Sequence, residues 1–116
     1  MKNQVIVREE KNVKVSIDVF IKKQGENFIA YCPALEVSSY GATRKEAKAM
    51  FEEALQIFIE ETTAMGTFEK VLLELGWKLQ LKPVAKFTPP SIRELSKNDS
   101  SLLTLRGIKE EIAIPI

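Results

Sequence analysis

The chain has no histidine, a single cysteine and a single tryptophan among its 116 residues, and the missing histidine excludes the most. Histidine titrates nearest neutral pH, is the usual partner of a serine or cysteine nucleophile and is the commonest metal ligand. Without it, Ser-His and Cys-His dyads and Cys/His zinc sites cannot be built. Aspartate is nearly as scarce, with only Asp18 and Asp99 present, and a two-metal site needs several convergent carboxylates. Cys32 has no partner for an internal disulfide. Neither sign of charge dominates: seventeen basic and sixteen acidic residues leave a net charge of +1, too little for a global field toward nucleic acid or an anionic membrane. Long apolar runs are absent as well. No stretch approaches the ~18 residues of a membrane span, and charges interrupt the opening MKNQVIVREEKN before a signal-peptide core can form. A soluble, cytoplasmic, reduced protein is expected, without a cofactor or a metal.

A patterned chain remains, 45% hydrophobic and of the length of one modest globular core. VKVSIDVFIKK, from Val13 to Lys23, alternates with period two and predicts a half-buried strand with Val13, Val15, Ile17, Val19 and Ile21 on one face. Gln24-Gly25-Glu26-Asn27 has hairpin chemistry, so Phe28 to Cys32 returns antiparallel until Pro33, which lacks an N–H, ends the ladder. Val37 to Tyr40 resumes as a third strand. Thr43 followed by Glu46 has the spacing of a capping box. Beyond it Ala47, Met50, Phe51, Ala54, Leu55, Ile57 and Phe58 form one broad apolar helical face, expected to pack on the sheet. Thr67 is expected to cap a shorter helix carrying Phe68, Val71, Leu72 and Leu75, and WKLQLK (Trp77, Leu79, Leu81) reads as a fourth strand. From Pro83 onward the texture breaks up, with four of the five prolines and the polar run SKNDSS. One short helix capped by Ser91 and Glu94 is expected there, and EEIAIPI reads as an edge or terminal strand, since Pro115 cannot donate to a ladder. The expected class is α+β, an antiparallel meander followed by a long amphipathic helix, with a domain over 1–82 and an arm over 83–116.

The order of strand, strand, strand and helix, with CPALEVSSYGATRKEA at the junction, resembles the HicB antitoxin family. Its members carry an aromatic-rich second strand, a Cys/Phe-Pro-x-Leu step, another strand, and Gly-x-Thr-x-x-Glu-Ala opening a helix. Here these are Tyr31, Cys32-Pro33-Ala34-Leu35, Gly41-Ala42-Thr43 and Glu46-Ala47, followed by the acidic helix MFEEALQIFIEE. The resemblance covers roughly residues 13 to 62 and departs from many members after Leu35, where Glu36-Val37 replaces Pro-Gly-Cys. It implies a partly formed RNase H-like fold and a role in neutralising a small toxin ribonuclease of the HicA type. It also implies a carboxy-terminal helix-turn-helix or ribbon-helix-helix unit. The tail here lacks the two consecutive amphipathic helices these require, so operator DNA would be reached through an arm or through the toxin complex.

Each candidate site also has a structural reading. Tyr31, Pro33, Leu35 and Tyr40, with the helix carboxylates Glu52 and Glu60, are the candidate partner-binding residues, because tyrosines dominate interface energies and an acidic face suits a basic toxin. Equally, the tyrosines are core or rim residues and the glutamates a solvated face. Asp18 lies where an RNase H-type enzyme holds a metal-binding aspartate, and its plain reading is a solvated strand charge. Cys32 reads as a small buried residue. Ile112, Ile114 and Ile116 share one face of the terminal strand, which is expected to pair with a sheet edge, with a homodimer of exchanged tails as the preferred assembly. The alternatives to an antitoxin are a ligand-binding or assembly module and, further off, a magnesium-dependent RNase H-like enzyme.

Overall fold

A computed structural model of the chain describes residues 12–80, 82–97, 102 and 107–115. Strand β1 (Asn12–Gln24) turns through Gly25, whose φ of 64° suits a residue without Cβ, into β2 (Asn27–Cys32), and β3 (Val37–Gly41) follows. Helix α1 (Arg44–Ala64), helix α2 (Phe68–Glu74), a hairpin of β4 (Lys78–Gln80) and β5 (Lys86–Thr88), the one-turn helix α3 (Ile92–Leu95) and β6 (Gly107–Pro115) complete the order. The fold is α+β. Its main sheet is antiparallel with four strands in the order β3-β2-β1-β6.

Alternation along β1 decides which face is closed. Ile17 and Val19 are fully buried and Val15 nearly so, against Ala30, Cys32, Ile112 and Ile114 on the same side. Helix α1 lies over this face, chiefly above β3 and β2, and lays Ala47, Phe51 and Leu55 on it. The face is narrower than the apolar periodicity predicts: Met50 and Ile57 are exposed rather than packed on the sheet, because a helix over a flat layer buries only the stripe directly beneath it. Phe58 meets Phe68 of α2 edge to face, with ring centroids 6.3 Å apart.

The entry to α1 is built from small parts. Thr43 Oγ1 accepts from the Glu46 N–H at 3.0 Å, and the Glu46 carboxylate reaches back to Ala42 N–H at 2.6 Å, one residue short of the capping-box partner. Gly41 is needed because a Cβ there would come within 2.7 Å of the Glu46 carbonyl carbon, inside the first helical turn. Arg44 anchors the same turn, donating to Ile21 O at 3.1 Å with its guanidinium 5.1 Å from the Phe28 ring centroid.

Three expectations change. Thr67 precedes α2 without a side-chain capping bond. The strand expected from WKLQLK is shorter, Lys78–Gln80, with Trp77 ahead of it and Leu81 outside the described residues, and it joins β5 in a separate hairpin instead of the main sheet. The terminal strand begins at Gly107, earlier than its alternation indicates, and pairs along its whole length with β1 of the same chain, from Phe20↔Gly107 to Asn12↔Pro115. Ile112 and Ile114 thus belong to the same core as α1; Ile116 lies outside the described residues. At Ser91 both halves of a capping box are present.

Phe51→Ala is expected to lower stability by about 3 to 5 kcal/mol through the cavity it leaves, and Thr43→Ala by ~1 kcal/mol through the lost cap; urea midpoints rank the two. Trp77 donates from Nε1 to Ala34 O at 2.8 Å in a buried position. Trp77→Phe keeps an aromatic ring but strands that carbonyl, so a loss of about 1 to 3 kcal/mol is expected in the same titration.

Candidate interaction surface

The second face of the main sheet carries the Lys14, Ser16, Asp18, Phe20 and Lys22 side of β1 and, by register, Ile29 and Tyr31 of β2 with Ser38 and Tyr40 of β3. No helix as long as α1 lies over it among the described residues. Phe20, although on this side, is only 4% exposed. Its ring lies across Gly107 on β6, where a Cβ would come within 2.9 Å of it. Phe20, Ile29, Tyr31 and Leu102 line an apolar cavity of about 290 Å³, with Lys22, Gln24 and Ser38 at its rim. The cross-strand pair Ile29↔Tyr40 extends the apolar strip to the β3 edge, where Tyr40 is 56% exposed.

A second hollow, about 410 Å³, opens where Pro89, Pro90 and α3 face Ser16 and Asp18. There Asp18 accepts from Lys109 Nζ, its cross-strand neighbour on β6, at 2.9 Å. No group of three metal-binding side chains occurs among the described residues. Cys32 is buried at the end of β2, and burial pushes its thiol up to about 11, against backbone N–H groups of Leu35 and Ala34 that pull the other way. Its thiolate is therefore scarce at neutral pH.

The candidate partner residues do not converge. Tyr31 and Tyr40 share the outer face, as diagonal neighbours across β2 and β3. Pro33 and Leu35 are buried in the turn that follows β2, Pro33 lining the second hollow and Leu35 belonging to the core. Glu52 and Glu60 are exposed on α1, Glu60 accepting from Gln56 at 2.7 Å and Glu52 from Lys48 at 2.7 Å. Phe20, Ile29 and Leu102 are members of the outer face that periodicity misses. Phe20 breaks the polar row of β1, and that was its one visible signal.

Glu110 carries no sequence signal at all. It alternates inward on β6, opposite Ile17, where its neighbours Ile112 and Ile114 are core. Its Oε1 is buried without a hydrogen-bond partner. Burial first, then the nearby Glu52 carboxylate, raise its carboxyl above the ordinary 4.5, while Lys48 opposes them. Glu52 moves down, held first by Lys48. A raised carboxyl binds its proton more tightly folded than unfolded, so this group adds stability as pH falls through its raised value toward 4.5. Glu52 acts oppositely, losing stability as pH falls below 4.5. Glu110→Gln is expected to raise stability at neutral pH and to remove the gain seen on mild acidification, as urea midpoints on either side of that window will report.

Comparison with family models, with curated proteins and with solved structures gives no match to this chain.

Proposed function

We infer that the chain is a binding protein without catalytic chemistry of its own, an antitoxin of the HicB type that neutralises a HicA-type toxin ribonuclease in the cytoplasm. The observation that carries the reading is the junction from Tyr31 to Ala47, where each piece of the ordered motif has a physical task. Cys32 to Leu35 bury the turn, Gly41 allows the helix to approach, Thr43 caps it, Glu46 closes its first turn and Ala47 is fully buried against the sheet. An antiparallel meander with one long helix on one face is the arrangement a partial RNase H-like fold requires.

The docking surface on this reading is the outer sheet face, where Tyr31 and Tyr40 supply large amphipathic area and Ile29 an apolar floor. Glu53 and Glu60, exposed and seven residues apart on α1, whose last turn has no basic residue, offer a basic toxin carboxylates on the helix layer, away from this face. Contact with operator DNA belongs to the toxin complex, since the chain itself carries a net charge of only +1. The cavity beside Phe20 favours a second reading, a module that takes a small apolar ligand.

Coexpression with a small basic ribonuclease encoded next to this chain is expected to relieve growth arrest and to yield a complex that copurifies. Tyr40→Ala is expected to weaken that complex about tenfold or more, the scale of an interface anchor, while leaving the melting temperature unchanged. Persistent arrest at equal expression, with no copurification, would move the balance to the ligand-binding module. RNA cleavage by the purified chain that disappears in Asp18→Asn would overturn the non-catalytic reading.

A further inference from the structure

The larger hollow has no role in the antitoxin reading, and it shares no lining residue with the cavity beside Phe20. At about 410 Å³ it is of the size that small-molecule sites have. One wall is the outer face of the main sheet. Ser16 and Asp18 alternate outward on β1, Lys109 is the cross-strand neighbour of Asp18 on β6, and Pro33 follows the last residue of β2. The other wall is the segment from Thr88 to Leu95, with Pro89, Pro90 and Ile92. Both walls are set before any ligand arrives. Donation from Trp77 Nε1 to Ala34 O at 2.8 Å holds the turn at Pro33 and Ala34, Phe87 is buried next to Thr88, and the capping box at Ser91 fixes the start of α3. The two consecutive prolines add stiffness, since each has a locked φ.

We propose that this hollow binds a free α-amino acid with an apolar side chain. The charge pattern selects that class. Among the described lining residues Asp18 and Lys109 alone are charged, one of each sign, 2.9 Å apart. Their charges cancel, so a simple anion or a simple cation is attracted by one and repelled by the other. A zwitterion is the complementary species, because its ammonium beside the Asp18 carboxylate and its carboxylate beside the Lys109 ammonium make two antiparallel dipoles with unlike charges adjacent. In an α-amino acid the two groups flank a single carbon, which matches the close spacing of the protein's own pair. That pair can accommodate a ligand. The Lys109 side chain is 70% and the Asp18 side chain 30% exposed, so their mutual attraction in water is weak, and the lysine on its flexible stem moves aside at little cost. The exposed hydroxyls of Ser16 and Thr88 can donate to the ligand carboxylate or accept from its ammonium. The ligand's side chain then lies on Pro33, Pro89, Pro90, Ile92 and Leu95, and by excluding water it strengthens the charge contacts beside it. Glycine lacks that contribution, whereas leucine or phenylalanine supplies it. This inference is independent of the antitoxin reading, whose surface at Tyr31 and Tyr40 contributes no residue to the hollow.

The test is a titration of the isotope-labelled full chain with L-leucine and L-phenylalanine, followed by amide NMR shifts. Three truncated ligands run beside them: leucinamide without the carboxylate, isocaproate without the ammonium, and glycine without the side chain. Leucine is expected to shift the amides of Ser16, Asp18, Thr88 and Ile92 saturably. Each truncated ligand is expected to bind about tenfold or more weakly, through loss of one charge-assisted contact or of the apolar burial. Asp18→Asn is expected to remove the advantage of leucine over isocaproate, and Lys109→Met that of leucine over leucinamide, with circular dichroism checking that both variants keep the fold. The ligand series on the parent chain decides the matter even where a variant unfolds. No saturable shift with either amino acid overturns the proposal. Leucinamide or isocaproate binding as tightly as leucine also overturns it, because the hollow then answers to one charge only. So do shifts centred on Ile29 and Tyr31, which place the ligand in the cavity beside Phe20.

Discussion

Everything in this fold depends on the register of β1. It is one of the sheet's two inner strands and has the longest ladder, joined to β2 through Phe20↔Tyr31 and to β6 through Val19↔Ile108. Its inner row of Val15, Ile17 and Val19 is the floor on which α1 rests, and each such side chain contributes roughly 1.5 to 3 kcal/mol when fully buried. A slip of one residue would turn that row to the outer face and bring Ser16, Asp18 and Phe20 under the helix. The core, the outer cavity and the Asp18–Lys109 pair are consequences of one alternation held in place from both edges.

The junction from β2 to α1 converts that sheet into a two-layer structure, and it does so by close approach. Ala47 and Gly41 are small because the helix begins directly over the strand that feeds it. Trp77 ties the buried turn at Ala34 to the second half of the chain, satisfying a carbonyl that water cannot reach. Glu36, in that turn, has a φ of 56°, a left-handed conformation that glycine adopts at less cost.

The two faces of the sheet serve different ends. One is closed by α1, and a carboxylate on it, Glu110, lies where the helix flank meets β6 and carries a raised proton affinity as a result. The other is apolar toward β2 and β3 and charged toward β6. Binding surfaces here are what one layer of helix leaves unburied.

Local pattern made much of this legible. Period-two alternation located β1, because a half-buried strand writes its two environments into alternate residues, and the turn at Gly25 with the stop at Pro33 bounded β2. Thr43 and Ser91 announced their helices, because orphan N–H groups need an acceptor at a fixed offset. The absence of histidine narrowed the chemistry by composition alone. The remainder was decided at long range. The main-sheet place of β6, the separate hairpin of β4 and β5, the burial of Phe20 by Gly107 and the meeting of Glu52 with Glu110 all join residues distant in the chain, and no local spacing encodes which partner each will find. The candidate surface divides in the same way. Its residue types could be read directly, but only packing separated the exposed Tyr40 from the buried Pro33 and Leu35, because whether an apolar side chain meets solvent depends on what the rest of the chain lays over it.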